Sequence, residues 1–498
     1  MNIIKGIKLK YHIILPIVLM LLNLLIKGIY LSSNSIGGDE PFSIYIAQMN
    51  VLDIIKLLSQ GNNPPLYEII LHFWIKIFGI SAFSVRVPSL IFSTITVLYL
   101  YKFNNRYINN RVAILASIIF IFSNYHILFA HEARTYSLIG MFSVMSMYYF
   151  LNFLIKDGKE FQNKTSTKSL FDVNIILLIL INTLLIYSHY FGFFILLTQL
   201  LFIVLNRVLL KEYWRTMLIV FVGITILYSP NIIIVFNRFL DSSGGTWVKP
   251  PNGVVSIYNM IWTASNAPVV TVLSITILIS ALIKFIIKGP RTLKPANKLV
   301  ILWFVFIFFF MFFISYILPM FMDRYLMPAI VIYSTLLAIS ADYLVQKSYY
   351  QYVIPIIIIL LFIFTVKPNI SNKRNVKETV MKVQNLKQDD AIVYFCPSWF
   401  DMNFIYYYDT ECFKNYNCQD IKKNIYEYMD SENIFAIDNW NQIDTIKIKK
   451  FNKVIYIDAG ADFSFPNNGI INKLNEISIY KNRYDFYEIF KVYEYQLK

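Results

Sequence analysis

YHIILPIVLMLLNLLIKGIYLSSNSIGGDEPFSIY, residues 11–45, sets the reading of the whole chain. Its first part, 11–31, is an apolar run of the length a helix needs to cross the hydrocarbon of a bilayer. Lys5, Lys8 and Lys10 stand in front of it, and the pair Asp39-Glu40 follows a few residues beyond its end. Carboxylates placed just outside a bilayer can do polar chemistry where a lipid-borne substrate presents its head group. The run is too long for a signal-peptide core and shows no small-residue cleavage site, so an uncleaved anchor is expected.

Composition widens this to the full chain. Of 498 residues, 57% are hydrophobic, 17% aromatic and only 15% charged, and mean hydropathy is +0.54. Soluble globular proteins carry about a quarter charged residues, so most of this chain is expected inside a membrane. The net charge of +15 would point to nucleic acid in a soluble protein. Here it reads as loop Lys and Arg obeying the positive-inside rule, with no nucleic-acid partner.

Apolar runs recur at about 11–31, 81–101, 112–128, 135–155, 174–189, 191–206, 217–236, 268–287, 298–318, 325–345 and 351–366. A polytopic α-helical membrane protein of about 11 spans is expected. The stretch 174–206 exceeds one helix and is divided at Ser188-His189-Tyr190. Lys102, Arg106 and Arg111 follow the second run, and Lys156, Lys159, Lys164 and Lys168 the fourth. Arg207, Lys211 and Arg215 follow the sixth, and Lys284, Lys288, Arg291, Lys294 and Lys298 the eighth. All these loops fall on one side, which the Lys/Arg bias assigns to the cytoplasm. An odd number of spans leaves everything after Lys367 outside.

That tail changes character. Short strand-like runs (391–395, 453–458, 486–495) alternate with helical stretches such as 377–386, the pattern of a small α/β domain. Two domains are expected, 1–368 transmembrane and 369–498 extracytoplasmic. Cys396, Cys412 and Cys418 all lie in the tail; a Cys412–Cys418 bridge and a free thiol are both compatible with an outside location.

The loop 32–80 is more than a linker. SIYIAQMNVLDIIKLLSQ (43–60) has apolar residues at helical spacing beside Gln48, Asp53 and Lys56, as in a helix lying in the interface. Asn62-Asn63-Pro64-Pro65 forms an extended turn, because a residue before proline is pushed out of the α region. Tyr67, His72 and Trp74 follow on a second amphipathic segment with Glu68 and Lys76. Three later polar clusters are expected on the same rim. Asn124-Tyr125-His126 and His131-Glu132-Ala133-Arg134-Thr135-Tyr136 occupy the turn between the third and fourth runs. His189-Tyr190 lies at the next outer hairpin, and Asp323-Arg324-Tyr325 opens the tenth run. Ionisable groups at the head of a membrane helix are expensive unless paired or functional. Glu132 and Arg134 can neutralise one another. Arg324 can snorkel or bind a phosphate with its planar fork.

In order, these motifs are a first-loop Asp-Glu, NNPPLY, VRVPSL (85–90), HEARTY (131–136), SHYFG (188–192) and RYLMP (324–328). The ordered set resembles the bacterial branch of the GT-C glycosyltransferases, related to dolichyl-phosphate-mannose protein mannosyltransferases and lipid A aminoarabinose transferases. The likeness covers about residues 1–345, and the tail resembles the extracytoplasmic domain some of these enzymes append. The family's usual histidine before the double proline is Asn63 here, a departure at a position for metal or acceptor contact. The resemblance implies a sugar donor on polyprenyl phosphate and an acceptor hydroxyl on a protein, lipid or glycan. It implies Asp39 as general base, Glu40 beside it, and Arg134 and Arg324 as phosphate clamps. One base and a direct displacement invert the anomeric centre. Asn63, Tyr67, His131, Glu132, Tyr136, His189, Tyr190 and Tyr325 are expected in substrate contact. Asp39, Glu40, His131 and His189 are the residues from which a divalent metal would draw ligands, although spacing does not fix whether they converge.

Two other classes compete. A lipid-sugar transporter should show paired halves and broken helices at mid-membrane, whereas the polar residues here gather at one rim. A polyprenyl-linked glycan polymerase or ligase uses the same donor but places its key residues in a large late loop. Here the carboxylates come in the first. A multi-pass plasma-membrane enzyme working at the outer face is the expectation.

Overall fold

The computed structural model describes residues 2–61, 63–155, 172–242, 248–289, 293–345, 351–370, 374–414, 421–486 and 489–498. The basic loop 156–171, Asn62, Arg291 and Cys418 therefore lie outside the described residues, and with Cys418 the choice between a Cys412–Cys418 bridge and a free thiol. The chain divides into two compact units, one of residues 1–31, 55–67 and 86–370, the other of residues 32–54, 68–85 and 371–498.

The first unit is helical. Every apolar run read from the sequence carries a helix, and among the described residues six helices are long and apolar enough to cross a membrane. Four more, Ile13–Gly28, Val173–Ser188, Tyr190–Val204 and Val353–Thr365, are apolar but shorter. The third run is not one straight helix. Asn110–Ile121 and Asn124–Ala130 meet at a 60° bend. Asn266, in the left-handed region at φ +66°, takes up the groups this break exposes. Its Nδ2 donates to Phe122 O and its Oδ1 accepts from Asn124 N, both at 2.7 Å. Asn124 and its two neighbours thus sit on a short helix after a bend, not in an open turn.

Helix Met327–Leu344 is buried along almost its whole length, as is Tyr136–Leu154. By contrast Arg207–Ser242 and Pro268–Lys288 turn residues such as Ile233, Ile286 and Ile287 outward. Apolar side chains that would be a liability in water are what a lipid-facing helix requires. Inside, where hydrophobicity does not select partners, buried polar pairs tie helices together. Asn23 Nδ2 donates to Thr94 Oγ1 at 3.0 Å and Asn104 Nδ2 to Thr335 Oγ1 at 2.9 Å.

The second unit holds a five-stranded sheet in the order β2-β1-β3-β5-β4, with β1 Ala391–Cys396, β2 Ile434–Ala436, β3 Lys453–Ala459, β4 Ser478–Phe486 and β5 Phe490–Leu497. β1 pairs parallel with β2 and β3; β5 runs antiparallel to β3 and β4. β1 and β3 are nearly continuous apolar runs because both of their faces are covered. The run at 486–495 is not a single strand: Phe486 closes β4, Phe490 opens β5, and the two pair across the hairpin. Also in this unit are three short helices from the first loop: Glu40–Ile46, the start of Val51–Leu58 and most of Leu66–Phe78. At about 1.5 Å per residue none of them is long enough to span a bilayer.

Candidate active site

In the first unit the HEARTY segment forms a tight buried turn. Arg134 N donates to Glu132 O at 2.8 Å. Ser89, from the VRVPSL run, closes it by donating its hydroxyl to Glu132 O at 2.8 Å. Tyr67 of NNPPLY is fully buried and its hydroxyl lies 3.2 Å from Ser89 Oγ. His131 Nε2 donates to Lys27 O at 2.6 Å. Three of the sequence motifs therefore meet at one turn, and the turn carries Arg134. Thr135 Oγ1 donates to Ser188 O at 2.7 Å, which fixes HEARTY beside the SHYFG hairpin.

The RYLMP segment supplies the other cation. Asp323 caps the 3-10 turn Arg324–Leu326 through Arg324 N at 2.7 Å, and its carbonyl accepts from Tyr125 Oη at 2.7 Å. The Arg324 guanidinium lies over the Tyr325 ring, 5.5 Å from its centroid. His189 is buried between these elements, its ring 6.2 Å from Tyr136 and 6.0 Å from Tyr325. Burial, reinforced by the positive charges of Arg134 and Arg324, pushes its pKa down to about 3. His189 is thus a buried imidazole that feels the charge of two guanidiniums from well-separated parts of the sequence. Such a place suits an anion. It does not suit a dication, since two positive charges face it and Nδ1 already accepts from Phe191 N at 3.2 Å. Tyr190 is half-buried and feels the charge of Arg238.

One buried cation went unread in the sequence. Lys27, on the first helix, is fully buried with Nζ 3.0 Å from Ser93 Oγ and 4.2 Å from the centre of the Phe120 ring. Its position inside an apolar run could have flagged it.

The second unit carries the carboxylates. Asp39 immediately precedes helix Glu40–Ile46, a place where an aspartate ordinarily caps the helix. Its side chain makes no cap bond, and it is half-exposed. Glu40 is buried, and its Oε2 accepts from Gly37 N at 3.3 Å. Glu68, also buried, accepts from Ser43 Oγ at 2.7 Å. Trp74 is a brace, its indole N–H donating to Ser84 O at 2.9 Å, and His72 Nδ1 lies 2.9 Å from Ala47 O. A cavity of about 600 Å³ opens beside this loop, lined by Ser33, Ser35, Ser81, Tyr406, Tyr407 and Thr410 among others. Asn63, in the first unit, is half-exposed at the extended turn before Pro64. Among the described residues no group of three His, Cys, Asp or Glu side chains is placed to hold a metal ion.

Residues 62–234 match the model of the dolichyl-phosphate-mannose-protein mannosyltransferase family. No curated protein matches the sequence. Among solved structures, the chain is similar to ArnT from Cupriavidus metallidurans, solved in the apo state and bound to undecaprenyl phosphate. The TM-score is 0.58 at 10% identity, with 96% of this chain and 97% of that one covered. It is also similar to the archaeal oligosaccharyltransferase AglB from Archaeoglobus fulgidus, in complex with an inhibitory peptide and a dolichol-phosphate. There the TM-score is 0.53 at 9% identity, covering 96% of this chain and 74% of that one. Residues 62–234 thus resemble that family, and the chain as a whole shares the fold of ArnT and AglB.

Proposed function

We propose that this protein is an inverting glycosyltransferase that moves a sugar from a polyprenyl-phosphate donor to an acceptor hydroxyl on a protein, lipid or glycan at the outer face of the plasma membrane. The observation that carries the reading is that Arg134 and Arg324, from two separate motifs, both bear electrostatically on the buried His189. Two planar forks beside an uncharged imidazole are matched to a phosphate that gains charge as its glycosyl bond breaks. ArnT with undecaprenyl phosphate and AglB with dolichol-phosphate support a lipid phosphate as that ligand.

The chemistry follows from the residue types. The acceptor hydroxyl gives its proton to Asp39. The acceptor oxygen forms a bond to the anomeric carbon. The bond from that carbon to the phosphate oxygen breaks, and its electron pair leaves with the lipid phosphate. Phosphate is already a stable leaving group, so the demand is for a base and for cations, and Glu40 supports the base from the next position.

The test is Asp39→Asn, assayed in membranes with the folded protein quantified. Loss of a general base costs about 10²–10⁴-fold, and that loss is expected with normal amounts of protein. Near-normal transfer would remove Asp39 from the mechanism.

A further inference from the structure

The turn that delivers Asp39 is held by the C-terminal segment of the chain. Within the second unit, three consecutive residues before Asp39 each have a backbone group bound by a tail side chain. Ile36 N donates to Tyr407 Oη at 2.6 Å. Arg374 Nη1 donates to Gly37 O at 3.1 Å, and Asn403 Nδ2 donates to Gly38 O at 3.2 Å. The fit is close. Gly38 sits at φ +64°, and a Cβ built there would lie 2.4 Å from Cζ and Nη1 of Arg374. Only glycine lets the turn pass under the guanidinium. Asn403 and Tyr407 share helix Asp401–Tyr408, and that helix is anchored on the sheet by Phe404 stacking on Phe395 of β1, 5.5 Å between centroids. A continuous packed path therefore runs from the sheet through one helix to the peptide groups adjoining the carboxylate.

We propose that Arg374, Asn403 and Tyr407 are positioning residues for Asp39, so that the tail serves sugar transfer by fixing the base. The inference rests on Asp39 being that base. A reacting group displaced by about 1 Å can lose about 10²-fold in rate, and three hydrogen bonds on three successive residues are a means of preventing such drift.

The experiment compares Arg374→Ala, Arg374→Lys and Tyr407→Phe in the full-length protein, with kcat and donor KM as readouts. Tyr407→Phe removes the acceptor for Ile36 N with little change of shape, so it remains informative if Arg374→Ala folds poorly. Expected are a 10- to 100-fold drop in kcat for Arg374→Ala and Tyr407→Phe, with donor KM unchanged. Arg374→Lys, which keeps a donor for Gly37 O, should retain more of the wild-type kcat than Arg374→Ala. In an Asp39→Asn background the tail substitutions should cost nothing more, as expected for residues acting through one group. Wild-type kcat in both Arg374→Ala and Tyr407→Phe, or a loss explained wholly by less folded protein, would overturn the proposal. If Asp39→Asn is inactive while the tail variants are unaffected, only the role of the tail fails. If Asp39→Asn is active, the reading of the base fails first.

Discussion

Arg324→Lys separates a phosphate ligand from a charge that merely sits at a membrane rim. The turn carrying Arg324 is fixed independently of its side chain: Asp323 caps it through the backbone N–H at 2.7 Å, and Tyr125 holds the Asp323 carbonyl at 2.7 Å. Lysine should therefore leave the backbone in place. The replacement keeps the positive charge and loses the planar fork. One charge-assisted hydrogen bond is worth about 1.5–3 kcal/mol, and at about 1.4 kcal/mol per factor of ten this is a roughly 10- to 150-fold loss in kcat/KM for the donor. Loss of the guanidinium's contact with the Tyr325 ring at 5.5 Å adds at most about 1 kcal/mol. Initial rates of purified enzyme against polyprenyl-phosphate sugar concentration measure this, with acceptor held constant and then varied. The increase should fall on donor KM and leave acceptor dependence nearly unchanged. Donor kinetics equal to wild type would return Arg324 to a rim charge and leave Arg134 as the remaining clamp.

Other outcomes follow from single residues. Lys27→Met should raise thermal stability by about 1 kcal/mol or more, because a buried polar amine held by a hydroxyl and a ring is replaced by an apolar chain of similar length. A transfer rate that collapsed in this variant would draw Lys27 into the chemistry. His189 has its pKa lowered in the fold to about 3, against about 6.5 unfolded. The unfolded chain thus binds a proton that the fold refuses, and stability contributed by the neutral imidazole above pH 6.5 is lost as pH falls towards 3. Unfolding curves of His189→Gln should be less acid-sensitive across that window, and an unchanged pH dependence would contradict the burial described. For orientation, an impermeant maleimide should label Lys481→Cys in intact cells and miss Lys164→Cys, with Cys412 and Cys418 changed to Ser; the reverse pattern would invert the proposed topology.

The membrane helices were legible because hydrocarbon thickness and helix rise leave little freedom: an apolar run of the right length has few alternatives to a span. The runs gave the break at Ser188-His189-Tyr190, where the structure ends one helix and begins the next, but not the bend inside the third run. The 60° bend after Ile121 depends on Asn266, well over a hundred positions away, taking a left-handed conformation and bridging Phe122 O to Asn124 N. In the tail, β1 and β3 stood out as apolar runs. β2 escaped because it has three residues, and β4 because SIYKNRYDF is a charged, largely exposed edge strand, as edges are when they resist pairing with other chains.

The residue types on which the proposed site rests stand out in the sequence, and the groups that support them do not. Asp39, Arg134 and Arg324 announce themselves, since ionised groups beside apolar runs are costly and therefore few. Tyr67 looked like a stacking platform for a sugar because aromatic residues at a membrane rim commonly serve there; its burial and its contact with Ser89 make it part of the scaffold under the HEARTY turn. Ser89 gave no signal, being one hydroxyl in an apolar run. Gly37-Gly38 was written beside Asp39 from the outset, yet its meaning needed Arg374, which lies more than three hundred positions later and contacts the turn through a guanidinium stacked on bare backbone. Periodicity and composition report what a segment prefers by itself. They are silent on which distant side chain occupies the space that a missing Cβ leaves, and for that reason the grip of the tail on the Asp39 turn emerges only from the folded chain.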